Sequence, residues 1–98
     1  MAFYTSYLVC YDVEENKTRR KLAEFLKDLG LQPLQKSVFW GALNSPEVRS
    51  LERYVHKHLD PDTDRCFWIH TRLDDKQLKQ GVGYQAFQSV APDGFIIV

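Results

Sequence analysis

"SYLVCYDVEENKTRRKLAEFLKDLG", Ser6 to Gly30, changes its periodicity once, and that change decides the fold. Ser6 to Val13 is β-rich and almost continuously apolar, the pattern of a strand covered on more than one side. Asp12 breaks the run where the strand should leave the core. Leu22, Phe25, Leu26 and Leu29 then recur at helical spacing with Ala23 beside them. Asn16 or Thr18 is placed to cap this helix, and Gly30 stands where a C-terminal glycine belongs. Arg19, Arg20 and Lys21 crowd its first turn, where the helix dipole disfavours cations by a few tenths of a kcal/mol each.

Reading outward, Leu31 to Asn44 is strand-like but interrupted. Pro33 cannot donate to a ladder, which predicts a short or edge strand. Ser37, Phe39, Gly41 and Leu43 alternate with Val38, Trp40 and Ala42, predicting a hairpin that turns near Gln35 to Ser37. Ser45-Pro46-Glu47 reads as a helix start: a capping hydroxyl, proline at the first helical position and an acid suited to the dipole. Val48, Leu51, Val55 and Leu59 form its apolar stripe, with Tyr54 flanking. Asp60 to Asp64 is a turn, Arg65 to Thr71 a strand, Asp74 to Gly94 polar and irregular, and Phe95 to Val98 a short apolar strand. The order β-α-β-β-α-β predicts an α+β, ferredoxin-like sandwich with both helices on one face of an antiparallel sheet. One domain is expected over 1–98, with its core in about 1–72 and a tail from about 73 to 98. The terminal strand has no place in that sheet and is expected to pair onto a partner subunit's edge in a homodimer.

The bulk numbers exclude more than they assign. A chain of 98 residues buries a limited share of its surface, so association with a second copy would help it. Formal net charge is zero, so a case for nucleic acid must rest on local patches. No apolar stretch is long enough for a membrane span, and the N-terminus lacks the pattern of a signal peptide, which predicts a cytoplasmic protein. Cys10 and Cys66 have no metal-type spacing and read as plain thiols. His56 and His58 do not share a helix face, His70 lies in a strand, and Gly81-Val82-Gly83 lacks the strand and helix that a dinucleotide loop needs.

Three groups carry chemistry. Asp12 is a candidate ligand for a hard cation. Magnesium commonly uses one or two carboxylates with water and phosphate, so two copies of Asp12 across a twofold axis would serve where one would not. Glu14 and Glu15 read as solvated loop residues. Arg19, Arg20 and Lys21 are either surface charge or a phosphate-binding group, and an approaching phosphate would resolve their conflict with the dipole. In "QKSVFWG" (Gln35 to Gly41), Ser37 can reach a phosphate, and Phe39 or Trp40 can stack on a base or pack at a dimer interface.

Together, "YLVCYDV", "RRKLAEFLKDLGL", "QKSVFWGAL" and "HLDPDTDRCFWIH" resemble the CRISPR-associated protein 2 family over about Tyr7 to His70, with a compatible "FIIV" tail. The resemblance implies a ferredoxin-like homodimer that acts in CRISPR adaptation, acquiring and integrating spacer DNA alongside an integrase subunit. It implies Asp12 from each chain facing the other to hold Mg2+ as the catalytic metal site. Arg19, Lys21, Ser37 and Phe39 fall where the family has functional or nucleic-acid-facing residues, and Arg20 adjoins them. Two roles follow: a magnesium-dependent endonuclease acting on RNA or DNA, or a non-catalytic scaffold bridging integrase dimers on DNA. Pro33 stands where many members have arginine, and Lys21 keeps charge without the guanidinium fork. Without these motifs, a ferredoxin-like module binding a metabolite or a protein would be the leading reading.

Overall fold

Strand β1 (Phe3–Asp12) runs through the middle of the sheet in a computed structural model that describes residues 3–89 and 96–97. It pairs antiparallel with β3 (Val38–Leu43) on one side and β4 (Arg65–His70) on the other. Strand β2 (Gln32–Gln35) closes the β3 edge, giving the order β2-β3-β1-β4. Helices α1 (Asn16–Asp28) and α2 (Ser45–His58) supply the β-α-β-β-α-β order of a ferredoxin-like sandwich. Leu22 and Leu26 of α1 and Leu51 and Val55 of α2 pack with Val9, Tyr11, Phe39 and Leu43 in one buried cluster. Both helices therefore cover the same sheet face, the one carrying the odd-numbered residues of β1.

Helix ends show where local chemistry set the boundaries. The α1 C-terminus is a Schellman motif: Leu31 N–H donates to Leu26 O (3.1 Å), Gly30 N–H to Lys27 O (2.9 Å), and Gly30 takes φ +92°. At its N-terminus neither Asn16 nor Thr18 caps. Glu15 holds the cap position without a side-chain cap, because the Asn16 side-chain oxygen accepts from Arg19 instead. The α2 cap also falls one residue earlier than expected. Asn44, not Ser45, accepts from Glu47 N–H (2.9 Å), and Glu47 Oε1 accepts from Asn44 N–H (2.9 Å) in a reciprocal capping box.

The tail expected to be irregular contains a short helix, α3 (Asp75–Lys79), capped by Asp74 with Gln77 returning the bond. Residues 90–95 and 98 of the tail lie outside the described residues. Ile96–Ile97 forms β5, which lies parallel to Phe3–Tyr4 of its own chain. Phe3 and Tyr4 extend beyond the β1 residues paired with β3 and β4, and it is at this end of the strand that β5 adds.

The second sheet face is covered unevenly. Leu8 and Cys10 of β1 point there with Trp40, Val38, Phe67 and Ile69 opposite them. The tail covers Trp40, which is buried against Phe87 at a ring distance of 5.8 Å. Phe67 and Ile69 are 58% and 53% exposed, leaving the β1–β4 side an open apolar surface. Asn44→Ala should cost about 1 kcal/mol in urea-induced unfolding while Ser45→Ala costs a few tenths at most; the reverse order would place the cap where the sequence alone put it.

Candidate nucleic-acid interface

Asp12 is exposed at the C-terminal end of the central strand, on the same sheet face as Leu8 and Cys10. Its cross-strand partner is Arg65, the first residue of β4. The next residue, Val13, is 2% exposed and anchors the chain in the core as it turns toward α1. Asp12 is thus fixed between a buried strand and a buried anchor, with its side chain in solvent.

Two bonds from Tyr11 bring the β2–β3 turn beside it. Tyr11 N–H donates to Ser37 O (3.0 Å) and Tyr11 Oη donates to Lys36 O (3.1 Å). The Tyr11 ring stacks on Phe39 in the core, at 6.2 Å and 29°. Burial pushes the Tyr11 hydroxyl above its ordinary pKa despite the opposing pull of Arg19, so it stays a neutral donor at physiological pH. The result is a groove of about 700 Å³ that gathers Asp12, Arg19, Arg20, Lys36 and Ser37. Three cations face one carboxylate there.

Arg19 is partly spent on the loop. Its guanidinium donates to Val13 O (2.8 Å) and Glu14 O (3.5 Å) and reaches the Asn16 side chain. This explains a cation in the first turn: it satisfies carbonyls of the strand-to-helix loop that no backbone donor reaches. Arg20 is exposed on the same groove. A second clamp comes from the α2–β4 turn. Asp64 accepts from Glu14 N–H and Asp60 N–H, both at 3.0 Å. These bonds hold its carboxyl below the usual carboxylate range.

The residues singled out in the sequence separate into two groups. Asp12, Arg19, Arg20 and Ser37 share the groove. Lys21 lies elsewhere, beside Tyr54 and His58. Phe39 is 2% exposed and packed on Tyr11, so it offers no face to a base in this structure. Its place is the helix-side core, because pairing with Val9 turns it inward. Lys36 and Arg65 were missed. Lys36 sits in a turn that only the Tyr11 bonds bring to Asp12, and Arg65 becomes a neighbour only through strand register. Among the described residues, no three His, Cys, Asp or Glu side chains converge as a metal site. Burial, with Cys10 nearby, pushes the Cys66 thiol up to about 11, and burial also raises Cys10, which disfavours the thiolate form of both.

Residues 5–80 match the family model described as CRISPR associated protein Cas2. The chain belongs to this family. It is 33% identical to the CRISPR-associated endoribonuclease Cas2 1 of Francisella tularensis subsp. novicida, over 86% of each chain. It is 41% identical to the CRISPR-associated endoribonuclease Cas2 of Korarchaeum cryptofilum, over 76% of this chain and 89% of the relative. Among solved structures it resembles Streptococcus pyogenes Cas2 at pH 6.5, with a TM-score of 0.62 and 23% identity over 89% of this chain and 99% of that one. It also resembles the hypothetical protein TT1823 of Thermus thermophilus, with a TM-score of 0.66 and 30% identity over 71% and 84%. The ferredoxin-like fold read from the element order is thus shared with the Streptococcus pyogenes Cas2 structure. No helix among the described residues is long and apolar enough to cross a membrane.

The two arginines should separate in a paired test. Arg19→Ala should lower unfolding stability by about 1 kcal/mol, since it strands loop carbonyls. Arg20→Ala should stay within about 0.5 kcal/mol of the parent. Equal effects in chemical denaturation would deny Arg19 its role in the loop.

Proposed function

We propose that this Cas2-family chain works as a homodimer that binds nucleic acid across the Asp12 groove and cuts phosphodiester bonds with magnesium. One observation carries the reading: an exposed carboxylate at the rim of an open apolar sheet face, ringed by Arg19, Arg20, Lys36 and Arg65. Burying that face against a second copy would remove the exposed Phe67 and Ile69 from water, and a twofold axis through it would bring the two Asp12 side chains together. Relatives of this chain carry the name endoribonuclease, which supports RNA as a substrate.

The donor set fits a hard cation. A single chain supplies one carboxylate, and magnesium commonly takes one or two with water and phosphate, so the Asp12 pair would hold it at the dimer axis. When bound, the ion would supply Lewis-acid stabilisation of phosphoryl charge and an acidified water. The chain's own residues do the rest. Arg20 and Lys36 hold flanking phosphates, Arg65 balances Asp12 across the strand pair, and the Ser37 hydroxyl donates to a phosphate oxygen. Arg19, held by the Val13 carbonyl, keeps the loop after Asp12 in place while presenting its remaining N–H groups.

A scaffold role within spacer acquisition, docking an integrase subunit and a DNA duplex, is favoured by a different observation. The groove is richer in cations than in acids, which suits holding a polyanion more than cutting it. Cleavage of labelled RNA and DNA by wild type and Asp12→Asn, with magnesium and with chelator, separates the two roles. The nuclease reading predicts cleavage by wild type with magnesium alone and loss to the chelator background in the variant; undiminished cleavage by Asp12→Asn would overturn it. In either role, Arg20→Ala and Lys36→Ala should each reduce the salt slope of binding by about 1.

A further inference from the structure

Asp12 is the last residue of β1 and pairs with Arg65, the first residue of β4. The backbone register between the two strands ends at that rung, and strand ends fray. A side chain that holds a metal must nevertheless be fixed to within about 0.5 Å. Side chains hold the chain past the last rung. Arg19 takes the Val13 carbonyl from α1, and Asp64, the residue before Arg65, takes the Glu14 N–H from the β4 side.

The Asp64 carboxylate is oriented by its own turn. Oδ1 accepts from Glu14 N–H (3.0 Å) and from the Thr63 hydroxyl (3.2 Å), and Oδ2 accepts from Asp60 N–H (3.0 Å). The turn closes around Asp60: Asp64 N–H and Thr63 N–H donate to its carbonyl at 2.7 and 3.1 Å, and Asp62 N–H donates to its Oδ1 (2.9 Å). Leu59 N–H donates to Val55 O (3.0 Å), so this turn starts where α2 ends. With three donors on two oxygens, Asp64 serves the backbone as an acceptor. Its bond to Glu14 joins positions 50 apart in the sequence and lands two residues after Asp12.

We propose that Asp64 is a positioning residue for Asp12: its side chain adds one rung to the β1–β4 ladder past the last backbone pair, and this rung sets where the Asp12 carboxylate meets a divalent cation. The role rests on the Asp12 reading of the groove. Without the Asp64 carboxylate, the exposed Glu14 N–H turns to water, so the fold survives while the chain on either side of Val13 gains freedom. Metal affinity is what suffers. Removing a group that orients a ligand without touching the metal typically weakens binding by about ten- to a hundredfold.

Calorimetric titration of the full-length chain with Mn2+, beside amide hydrogen exchange at Glu14, tests the role. Asp64→Ala should bind Mn2+ about tenfold more weakly at unchanged stoichiometry, because Asp12 is intact. Its Glu14 amide should exchange about tenfold faster. A nearby negative charge would also draw cations, and Asp64→Asn separates the two effects: it removes the charge and keeps an oxygen for Glu14 N–H. Its Mn2+ affinity should stay within about threefold of wild type. Asn44→Ala, at the opposite end of the sheet, controls for general destabilisation and should keep wild-type affinity. Wild-type Mn2+ binding with unchanged affinity in Asp64→Ala, or an equal loss in Asp64→Ala and Asp64→Asn, would overturn the role of Asp64 alone. Absence of Mn2+ binding by wild type would overturn the Asp12 reading and this role with it.

Discussion

Strand β1 needs cover on both faces, and the described chain provides a full cover for only one. Its odd-numbered residues, Val9 and Tyr11, lie beneath α1 and α2. Its even-numbered residues, Leu8 and Cys10, share the other face with exposed Phe67 and Ile69. Among the described residues, Phe87 shields Trp40 while Phe67 and Ile69 of β4 stay exposed. In a domain this small, an uncovered apolar sheet face favours association, and a face that pairs with its own copy brings equivalent residues together about the twofold axis. Asp12 stands at the end of that face, which makes its position in the fold inseparable from the question of a second copy.

The groove around Asp12 is the consequence of two short connections held in place by polar bonds. Tyr11 belongs to both systems, its ring in the core and its hydroxyl on the Lys36 carbonyl. Arg19 and Asp64 grip the strand-to-helix loop from opposite sides, one donating to its carbonyls and one accepting its N–H. The three cations that looked misplaced at a helix start therefore divide: Arg19 anchors, Arg20 faces the groove, and Lys21 points away from it. Only a local surplus of cations, not the neutral whole chain, makes the surface attractive to phosphates.

Most of the fold was legible because periodicity reports burial. The apolar run ending at Asp12 and the stripe Leu22, Phe25, Leu26 and Leu29 fixed β1 and α1, and the Ser45-Pro46-Glu47 signal fell within one residue of the true cap. Asn44 and Ser45 are both good caps, and only the reciprocal bond to Glu47 distinguishes them. Helix α3 was invisible because five residues with a single leucine, Leu78, carry no apolar period; its capping box is the sole local signal. Alternation in "SVFWGAL" showed two faces without saying which was inward, so Phe39 was read as accessible when register buries it. Asp12, Arg19, Arg20 and Ser37 were legible as chemistry. Lys36 and Arg65 were not, since each is brought to Asp12 by long-range pairing that one sequence does not display.

Titration of the purified chain with Mn2+, read calorimetrically, tests the central claim most directly. Sharing of one ion by two Asp12 side chains predicts half an equivalent bound per chain, with binding abolished by the loss of that one carboxylate. A full equivalent per chain, or none, would contradict it.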